Sequence, residues 1–295
     1  MRPEPDTKPN KNMTRFKDKC VLITGGGSGI GRIMGRLALE RGARKVVVWD
    51  IDERNIAASL AAYAAPERTA GYRADVSDRA DVSDRRQVEE TFARTTAECG
   101  PVEILINCAG IITGNKTFDR QTPEEIERTM AVNATAPMYL TLQALPGMLE
   151  RNEGHICNIA SAAGMISNPR MSVYAASKWA VIGWSDSLRI ELQEARSGVH
   201  VTTVAPYYIA TGMFAGVRSR LVPILDPEKT ARRIVRAVEH NRTFRGLPWG
   251  FHFIRLVQGL LPDKLFDALV GNAMGIYRTM DHFTGRRTPD HTSNR

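Results

Sequence analysis

The sequence predicts a single α/β domain with one doubly wound parallel sheet and helices on both faces. Short apolar segments rich in Val and Ile alternate along the chain with segments of helical periodicity. Strands that alternate with helices form right-handed units in which the strands run parallel. The chain has 295 residues, of which 43 % are hydrophobic, enough to enclose one large core. No linker-like stretch divides this pattern, so we predict one domain.

The strands are predicted from short β-branched runs and the helices from the apolar periodicity between them. The predicted strands are Cys20–Thr24, Lys45–Trp49, Gly71–Asp75, Ile104–Asn107, His155–Ile159, Val199–Val204 and, with a weaker pattern, Thr243–Leu247. The predicted helices include Ile30–Arg41, Asn55–Ala65, Val88–Cys99 and Tyr174–Glu194. Residues 17–248 then form the sheet and its helices. Residues 1–16 form a disordered polar leader, and residues 249–295 an apolar helical extension with a polar tail in the same domain.

The composition narrows the classes of function. The formal net charge is +8, but no run of Lys and Arg interleaved with aromatic residues occurs, so nucleic-acid binding is not predicted. The four cysteines form no C-x-x-C pair and no histidine cluster accompanies them, which predicts buried thiols in a reducing compartment and no metal site. The leader lacks the apolar core of a signal peptide, and no run of about 18 apolar residues occurs, so we expect a cytoplasmic protein.

A six-residue segment is duplicated after the third predicted strand. Ala74–Arg79 and Ala80–Arg85 both read ADVSDR. Two copies are too few for a repeat architecture, so we interpret one of them as a local extension of a surface loop.

A glycine-rich segment, residues 24–31, follows the first strand and opens the first helix; it reads TGGGSGIG. Glycines permit a tight turn and close approach of the backbone to a pyrophosphate, and the helix N-terminus offers free N–H groups. Asp50 ends the second strand, about 20 residues further on, where a carboxylate accepts hydrogen bonds from the adenosine ribose and repels a 2′-phosphate. No Lys or Arg lies inside the glycine segment. The combination predicts a dinucleotide site that prefers NAD to NADP.

A second constellation consists of Ser161, Tyr174 and Lys178. Tyr174 and Lys178 are four residues apart, which places them on one face of a helix. A free phenol has a pKa near 10, and a cation one helical turn away lowers that pKa toward the neutral range. Ser161 lies thirteen residues before the tyrosine, just past an apolar strand. The three side chains therefore predict acid–base chemistry on an alcohol or a carbonyl.

Together these motifs resemble those of the short-chain dehydrogenase/reductase family, over about Lys17 to His240. The matching segments, in family order, are T-G-x-x-x-G-x-G at residues 24–31, Asn107-Cys108-Ala109-Gly110, Asn133, Ser161 and Tyr174-x-x-x-Lys178. Cys108 stands where the family usually has a second Asn, and Tyr207 where it usually has the Gly of a Pro-Gly pair. The resemblance implies a Rossmann-type catalytic domain.

The resemblance also implies roles for the matching residues. Tyr174 would be the general acid/base, Ser161 would bind the substrate oxygen, and Lys178 would bind the nicotinamide ribose and lower the pKa of Tyr174. Asn133 would hold a water molecule that links Lys178 to solvent. The implied cofactor site consists of Gly25, Ser28, Gly29, Ile30, Gly31, Asp50, Asn107, Ala109, Gly110, Tyr174, Lys178, Ile209, Thr211 and an Asp-Val pair against the adenine.

The duplication leaves two candidates for that Asp-Val pair. Spacing to Asn107 favours Asp81-Val82, whereas strand continuity favours Asp75-Val76. We prefer Asp75-Val76 because it directly ends a strand-like run.

Within the family, the chain is similar to the branch that contains retinol and 17-beta-hydroxysteroid dehydrogenases. The similarity lies in Val48–Ile51, Thr211–Phe214 and Tyr277–Asp281. It implies a small hydrophobic alcohol or carbonyl compound as substrate and a homodimer or homotetramer formed through two long helices near the site. The residues near the expected cleft are apolar, in agreement with such a substrate: Ile111, Met165, Ile166, Met171, Met213 and Phe214.

The C-terminal extension has two apolar helical faces separated by Pro262. Phe253, Val257 and Leu260 share the first face, and Leu265, Phe266, Leu269 and Val270 share the second. Such faces need an apolar partner, which is the substrate cleft, a second subunit or an anionic membrane surface, the last because arginines precede the segment. We predict that the extension forms a wall of the substrate pocket, and we keep peripheral membrane contact as an alternative.

The sequence therefore predicts an NAD-dependent oxidoreductase that transfers a hydride between a long-chain, retinoid or steroid-like alcohol and NAD. One alternative is a carbonyl reductase that uses NADPH, which Asp50 disfavours. The other is a non-catalytic NAD-binding sensor on the same fold. A sensor would have been free to lose Tyr174 or Lys178, and this chain has both.

Overall fold

One parallel sheet organises the computed structural model of the chain, which describes residues 13–76, 82–113, 115–220 and 222–285. Seven strands are present in these ranges, in the order β3-β2-β1-β4-β5-β6-β7, and every neighbouring pair is parallel. They are β1 (Cys20–Thr24), β2 (Lys45–Asp50), β3 (Thr69–Arg73), β4 (Ile104–Asn107), β5 (Gly154–Ile159), β6 (Val199–Pro206) and β7 (Phe244–Leu247). The predicted doubly wound sheet is confirmed.

Helices cover both faces of the sheet. The α-helices in the described ranges are α1 (Gly29–Glu40), α2 (Glu53–Tyr63), α3 (Val82–Cys99), α4 (Pro123–Met130), α5 (Ala136–Glu150), α6 (Ser172–Glu194), α7 (Pro227–Glu239), α8 (Ile254–Leu260) and α9 (Asp263–Phe266). Successive strand residues alternate between two cores, because side chains of a strand point to opposite faces. Val21 and Ile23 pack in one core with α1, whereas Leu22 and Leu105 pack in the other with α3 and α5.

The strand order reverses at β1, which has β2 on one side and β4 on the other. The connections after β1 and β4 leave in opposite directions there, so a crevice opens at the carboxyl ends of these two strands. The glycine segment follows β1 and residues 108–110 follow β4, which brings both motifs to that crevice.

Most predicted elements are present, with boundaries that shift by one or two residues. β3 begins and ends two residues earlier than predicted, because its ladder with β2 runs from Thr69 opposite Val46 to Arg73 opposite Asp50. The pairing ends where β2 ends, and Asp75 therefore lies beyond the strand.

Helix α3 begins at Val82, whereas the prediction was Val88. Four residues of the second ADVSDR copy, 82–85, are thus helical. That one of the two copies extends a surface loop stays a prediction. Ala74–Val76 of the first copy follow β3, and residues 77–81 lie outside the described ranges.

The C-terminal extension packs on the core of the sheet. Phe251, Phe266, Val270, Ile276 and Met280 are buried in the same cluster as α1 and α7. Only part of the predicted second apolar face is buried: Phe266 and Val270 are buried, whereas Leu265 and Leu269 are exposed. In the ranges described, no helix is both long and apolar enough to cross a membrane.

Candidate active site

A cleft of about 190 Å³ lies at the carboxyl ends of β1, β2 and β4. Most of the predicted cofactor residues line it: Gly25, Ser28, Gly29, Ile30, Gly31, Asp50, Asp75, Val76, Ala109, Gly110 and Thr211. Tyr174, Lys178 and Ile209 line an adjoining cavity instead. Asn107 lines neither, because its side chain is buried and bonded elsewhere.

The glycine segment forms a cradle of bare backbone. A Cβ atom on Gly31 would lie 2.2 Å from the carbonyl oxygen of Gly25, so the first turn of helix α1 packs directly against the glycine turn that precedes it. Gly25 and Gly29 have φ of 63° and 53°, in the left-handed region that favours glycine. Ser28 precedes α1, yet its side chain makes no capping hydrogen bond. The first N–H groups of α1 are thus left for a ligand, and a dinucleotide pyrophosphate fits this arrangement.

Asp50 is held at the edge of this cradle. Its Oδ2 accepts a hydrogen bond from the Gly27 N–H at 3.0 Å, and its Oδ1 accepts one from the Asp52 N–H at 3.2 Å. Each carboxylate oxygen retains a second acceptor site that a ribose hydroxyl can use. Arg128 of α4 lines the same cleft. The motif search missed it because α4 is distant in sequence from the glycine segment.

The structure describes only the first of the two Asp-Val candidates in full. Asp75 and Val76 line the cleft. Asp81 lies outside the described ranges, and Val82 begins α3.

Ser161, Tyr174 and Lys178 meet in a cavity of about 90 Å³ beside the cofactor cleft. The two spaces share the walls formed by Ile30, Cys108, Gly110, Thr211 and Met213. Tyr174 and Lys178 come from the first turns of α6, and Ser161 follows β5. A substrate oxygen at Ser161 and Tyr174 thus lies next to the cofactor cleft.

Burial is the largest influence on the pKa values of Tyr174 and Lys178. It raises the pKa of Tyr174 to about 12, and a hydrogen bond with Ser161 acts in the opposite direction. Burial also lowers the pKa of Lys178 to about 8. The expectation that Lys178 brings the Tyr174 pKa toward neutrality is therefore not met in this structure. The Lys178 ammonium donates to the Ile159 carbonyl at 3.1 Å, and its Nζ lies 5.8 Å from the centroid of the Tyr174 ring.

Asn133 anchors the loop after β4 to α6. Its Oδ1 accepts from the Ile111 N–H at 2.8 Å, and its Nδ2 donates to the Ile111 carbonyl at 2.9 Å and to Ser177 Oγ at 3.1 Å. The residue lies in a π-helical turn, Ala131–Thr135, between α4 and α5. Such turns often mark functional sites. A Cβ atom on Gly110 would lie 3.4 Å from Asn133 Oδ1 and 3.5 Å from Lys178 Nζ, so both side chains lie close to Gly110.

Asn107 belongs to a buried polar chain that links β4, β5 and α6. Its Nδ2 donates to Asn158 Oδ1 at 2.8 Å, and Asn158 Nδ2 donates to Ser185 Oγ at 2.9 Å. Asn158 gave no signal in the sequence, because a single amide in an apolar strand matches no motif.

A narrow cavity of about 20 Å³, enough for roughly one water molecule, adjoins Ser161. Of the residues expected at an apolar cleft, Ile166, Met171 and Phe214 line it. Ile111 and Met213 line the cofactor cleft, and Met165 is buried without lining any of these spaces. Phe251 and Ile276 of the C-terminal extension complete the wall. Asn168, Tyr207 and Tyr208 also line this cavity, a position that the sequence did not predict for them.

Residues 19–221 match the family model described as short chain dehydrogenase. The chain belongs to this family. It is 34 % identical over 288 residues to mouse (Mus musculus) epidermal retinol dehydrogenase 2, covering 95 % of this chain and 89 % of that one. It is 32 % identical over 271 residues to estradiol 17-beta-dehydrogenase 11 of Pongo abelii, covering 87 % of each. These relatives confirm the resemblance to the retinol and 17-beta-hydroxysteroid dehydrogenase branch.

Solved structures agree with the fold. A short-chain dehydrogenase from Streptomyces avermitilis superposes with a TM-score of 0.70 at 25 % identity, over 86 % of this chain and 97 % of that one. The protein is thus an oxidoreductase of this family that acts on CH–OH groups with a nicotinamide cofactor.

The glycine cradle generates a first prediction. Gly31→Ala places a methyl group against the Gly25 carbonyl, so the turn must move and affinity for NADH should fall by at least about tenfold, roughly 1.4 kcal/mol. Fluorescence titration of NADH measures this. Gly183→Ala is the matched control, since it is also a helical glycine and its Cβ meets nothing within 4 Å. Equal NADH affinity in both variants would show that the cradle does not hold the cofactor.

Proposed function

We propose that the protein oxidises a hydrophobic alcohol, of long-chain, retinoid or steroid-like type, with NAD as hydride acceptor and Tyr174 as general acid/base. One observation carries the proposal. Ser161, Tyr174 and Lys178 share a cavity that adjoins the glycine cradle on one side, and Ser161 also lines an apolar cavity. The names of the relatives, retinol and estradiol dehydrogenases, support the class of substrate.

The residues supply binding and proton transfer, and the bound cofactor supplies the hydride acceptor. The Ser161 oxygen accepts a hydrogen bond from the Ala163 N–H at 3.1 Å, which orients the hydroxyl. This hydroxyl bonds with Tyr174 and donates to the substrate oxygen once the substrate is bound. Tyr174 receives the alcohol proton during oxidation and returns it during reduction. Lys178, with a pKa of about 8, exchanges a proton under mildly alkaline conditions. The apolar wall excludes water from the reacting carbon.

Because the pKa of Tyr174 is high, the rate of oxidation should increase with pH. Oxidation requires the phenolate, which is scarce below the pKa of about 12, so kcat/KM for oxidation should rise by close to tenfold per pH unit between about pH 6 and 8. Reduction requires the protonated phenol, so kcat/KM for reduction should be nearly constant over this range.

Tyr174→Phe should lower kcat by on the order of 10² to 10⁴ with little change in NADH affinity.

The matched control for this variant is Tyr63→Phe on α2, a partly buried tyrosine whose hydroxyl donates to the Arg32 carbonyl at 2.8 Å. It should retain the kcat and the pH profile. A Tyr174→Phe enzyme that keeps most of its turnover would assign the proton transfer to another group.

The choice of NAD rests on charge at the cleft. Asp50 places a carboxylate beside the glycine cradle and repels a 2′-phosphate, whereas Arg128 lines the same cleft and would attract one. Asp50 is fixed by two backbone hydrogen bonds, and Arg128 is an exposed side chain. We therefore give the greater weight to Asp50.

Steady-state kinetics with both cofactors test this choice. NAD should be preferred to NADP by at least about tenfold in kcat/KM, roughly 1.4 kcal/mol. Asp50→Asn should reduce the preference, because the amide carries no charge. Asp52→Asn is the matched control, since Asp52 caps α2 and does not line the cleft, and Asn also serves as a cap. A native preference for NADP would support the carbonyl-reductase alternative and assign the deciding contact to Arg128.

Two sets of exposed apolar residues lead us to propose a homo-oligomer and contact with a membrane. Leu142 and Leu149 of α5 and Trp179 and Ile190 of α6 are exposed, and we assign this surface to a homodimer or homotetramer. The second surface, which we call the C-terminal rim, consists of exposed residues on both sides of Pro262. They are Trp249, Phe253, Leu256, Leu260, Leu265 and Leu269.

We assign the C-terminal rim to peripheral contact with an anionic membrane. Arg255 and Lys264 are exposed on the same segment, and their positive charges attract anionic lipid headgroups. Such contact would bring a water-insoluble alcohol directly to the cavity that Phe251 lines.

One pair of variants separates the two surfaces. Leu260→Glu should lower the fraction of protein that sediments with vesicles of phosphatidylcholine and phosphatidylserine, without changing the mass in light scattering. Leu142→Glu should lower the mass and leave vesicle binding in place. The two leucines are 72 % and 65 % exposed, so neither substitution should disturb the fold. If Leu260→Glu lowers the mass instead, the rim is a subunit interface.

A further inference from the structure

A buried serine on α2 contacts the backbone of the glycine segment. Ser59 is fully buried, and its hydroxyl donates to the Gly27 carbonyl at 2.8 Å. The Gly26 carbonyl lies further away, at 3.4 Å, so the single hydroxyl hydrogen belongs to the bond with Gly27. A serine inside a helix commonly bonds to its own helix or faces water. Ser59 instead donates to another element, the turn that opens α1.

The end of β2 holds the same turn through its N–H groups. The Gly27 N–H donates to Asp50 Oδ2 at 3.0 Å, and the Gly26 N–H donates to the Trp49 carbonyl at 3.2 Å. Gly27 therefore has its N–H bonded to β2 and its carbonyl bonded to α2. With both of its backbone groups anchored, Gly27 leaves the peptide that follows it little freedom to rotate.

The direction of the Gly27 carbonyl determines the direction of the next N–H group. The Gly27 carbonyl and the Ser28 N–H belong to one planar trans peptide, in which the two groups point in opposite directions. Because the carbonyl points to Ser59, the Ser28 N–H points away from α2. Ser28 lines the cofactor cleft, whereas Gly26 and Gly27 are buried. The Ser28 N–H is thus directed from the buried side of the turn toward the cleft.

The Ser28 N–H has no acceptor among the residues that the structure describes. The Ser28 side chain makes no capping hydrogen bond either. Free N–H groups at the start of a helix are donors for anions, and the anion that a dinucleotide offers is its pyrophosphate. Such a donor contributes most when it is already aimed, because ordering a loop at the moment of binding costs free energy.

We propose that Ser59 is a positioning residue of the cofactor site, which fixes the Gly27–Ser28 peptide so that the Ser28 N–H donates to a phosphate of the cofactor. Ser59 is buried and does not line the cleft, so it acts through the peptide. The inference concerns the phosphates that NAD and NADP share, and it is independent of the proposed substrate and of the choice between the two cofactors.

Tyr63 provides a matched control on the same helix. It lies one turn after Ser59, and its hydroxyl also donates to a backbone carbonyl at 2.8 Å, that of Arg32 on α1. Arg32 does not line the cleft. Ser59→Ala and Tyr63→Phe therefore each remove one hydroxyl that joins α2 to a neighbouring backbone, and only Ser59→Ala releases the Gly27–Ser28 peptide.

The test compares the affinities of ADP and adenosine, each measured as a competitor in a fluorescence titration with NADH. ADP carries two phosphates and adenosine carries none, so the ratio of the two affinities isolates the phosphate contact. In Ser59→Ala this ratio should fall by about fivefold or more, because a hydrogen bond to a charged group loses its alignment. In Tyr63→Phe the ratio should keep its native value. Because each ratio is taken within one variant, a general weakening of the adenosine site cancels.

Ser59→Cys separates the hydrogen bond from the packing. The thiol fills the space of the hydroxyl but is a weak donor, so the ratio should fall nearly as far as in Ser59→Ala. A native ratio in Ser59→Cys beside a reduced one in Ser59→Ala would assign the effect to lost volume and overturn the inference. A native ratio in Ser59→Ala would overturn it as well. An equal decrease in Tyr63→Phe would show that any loosening of α2 has this effect, and Ser59 would then have no particular role.

Discussion

The contact between the first turn of α1 and the glycine turn is the constraint on which the site depends. No side chain fits between Gly31 and the Gly25 carbonyl, so the start of α1 is fixed relative to the end of β1. Thr24, the last residue of β1, then accepts hydrogen bonds from the N–H groups of Cys108 and Ala109 at 3.0 and 3.1 Å. The turn after β4 is thereby held against the turn after β1, so one wall of the cofactor cleft is set by a backbone contact and the other by the side-chain hydroxyl of Thr24.

The same rigidity extends to α6. The loop after β4 is held by Asn133, whose amide reaches Ser177, and Ser177 Oγ donates to the Tyr174 carbonyl at 2.7 Å. A continuous series of hydrogen bonds thus leads from the loop beside the cofactor cleft to Tyr174, the proposed acid/base residue. Such preorganisation matters because the reacting atoms of a hydride transfer must be aligned before the step takes place. Burial along this path also explains why the pKa of Tyr174 is raised and the pKa of Lys178 is lowered.

The sequence predicted the parts of this arrangement that depend on local patterns. β1 and β4 have the predicted ends, because apolar runs bounded by turn residues define them. The end of β3 depends on its partner strand, and the start of α3 lies inside a duplicated segment of ambiguous pattern, so neither followed from local sequence. Motifs selected most of the residues that line the cofactor cleft and the cavity of Tyr174. The Asn107–Asn158 pair and the contact between Ser59 and Gly27 have no motif, because their members meet only through tertiary packing.

The C-terminal extension separates two properties of the enzyme along the chain. The groups assigned to proton transfer and cofactor binding lie before residue 212, on the sheet and the helices next to it, whereas Phe251, Ile276 and Thr279 belong to the extension. Changes in the extension therefore alter the shape and polarity of the substrate wall while the hydrogen bonds around Tyr174 stay intact. Substitutions that accumulate in this last segment can therefore change which substrate is preferred among related proteins, while the reaction itself stays the same.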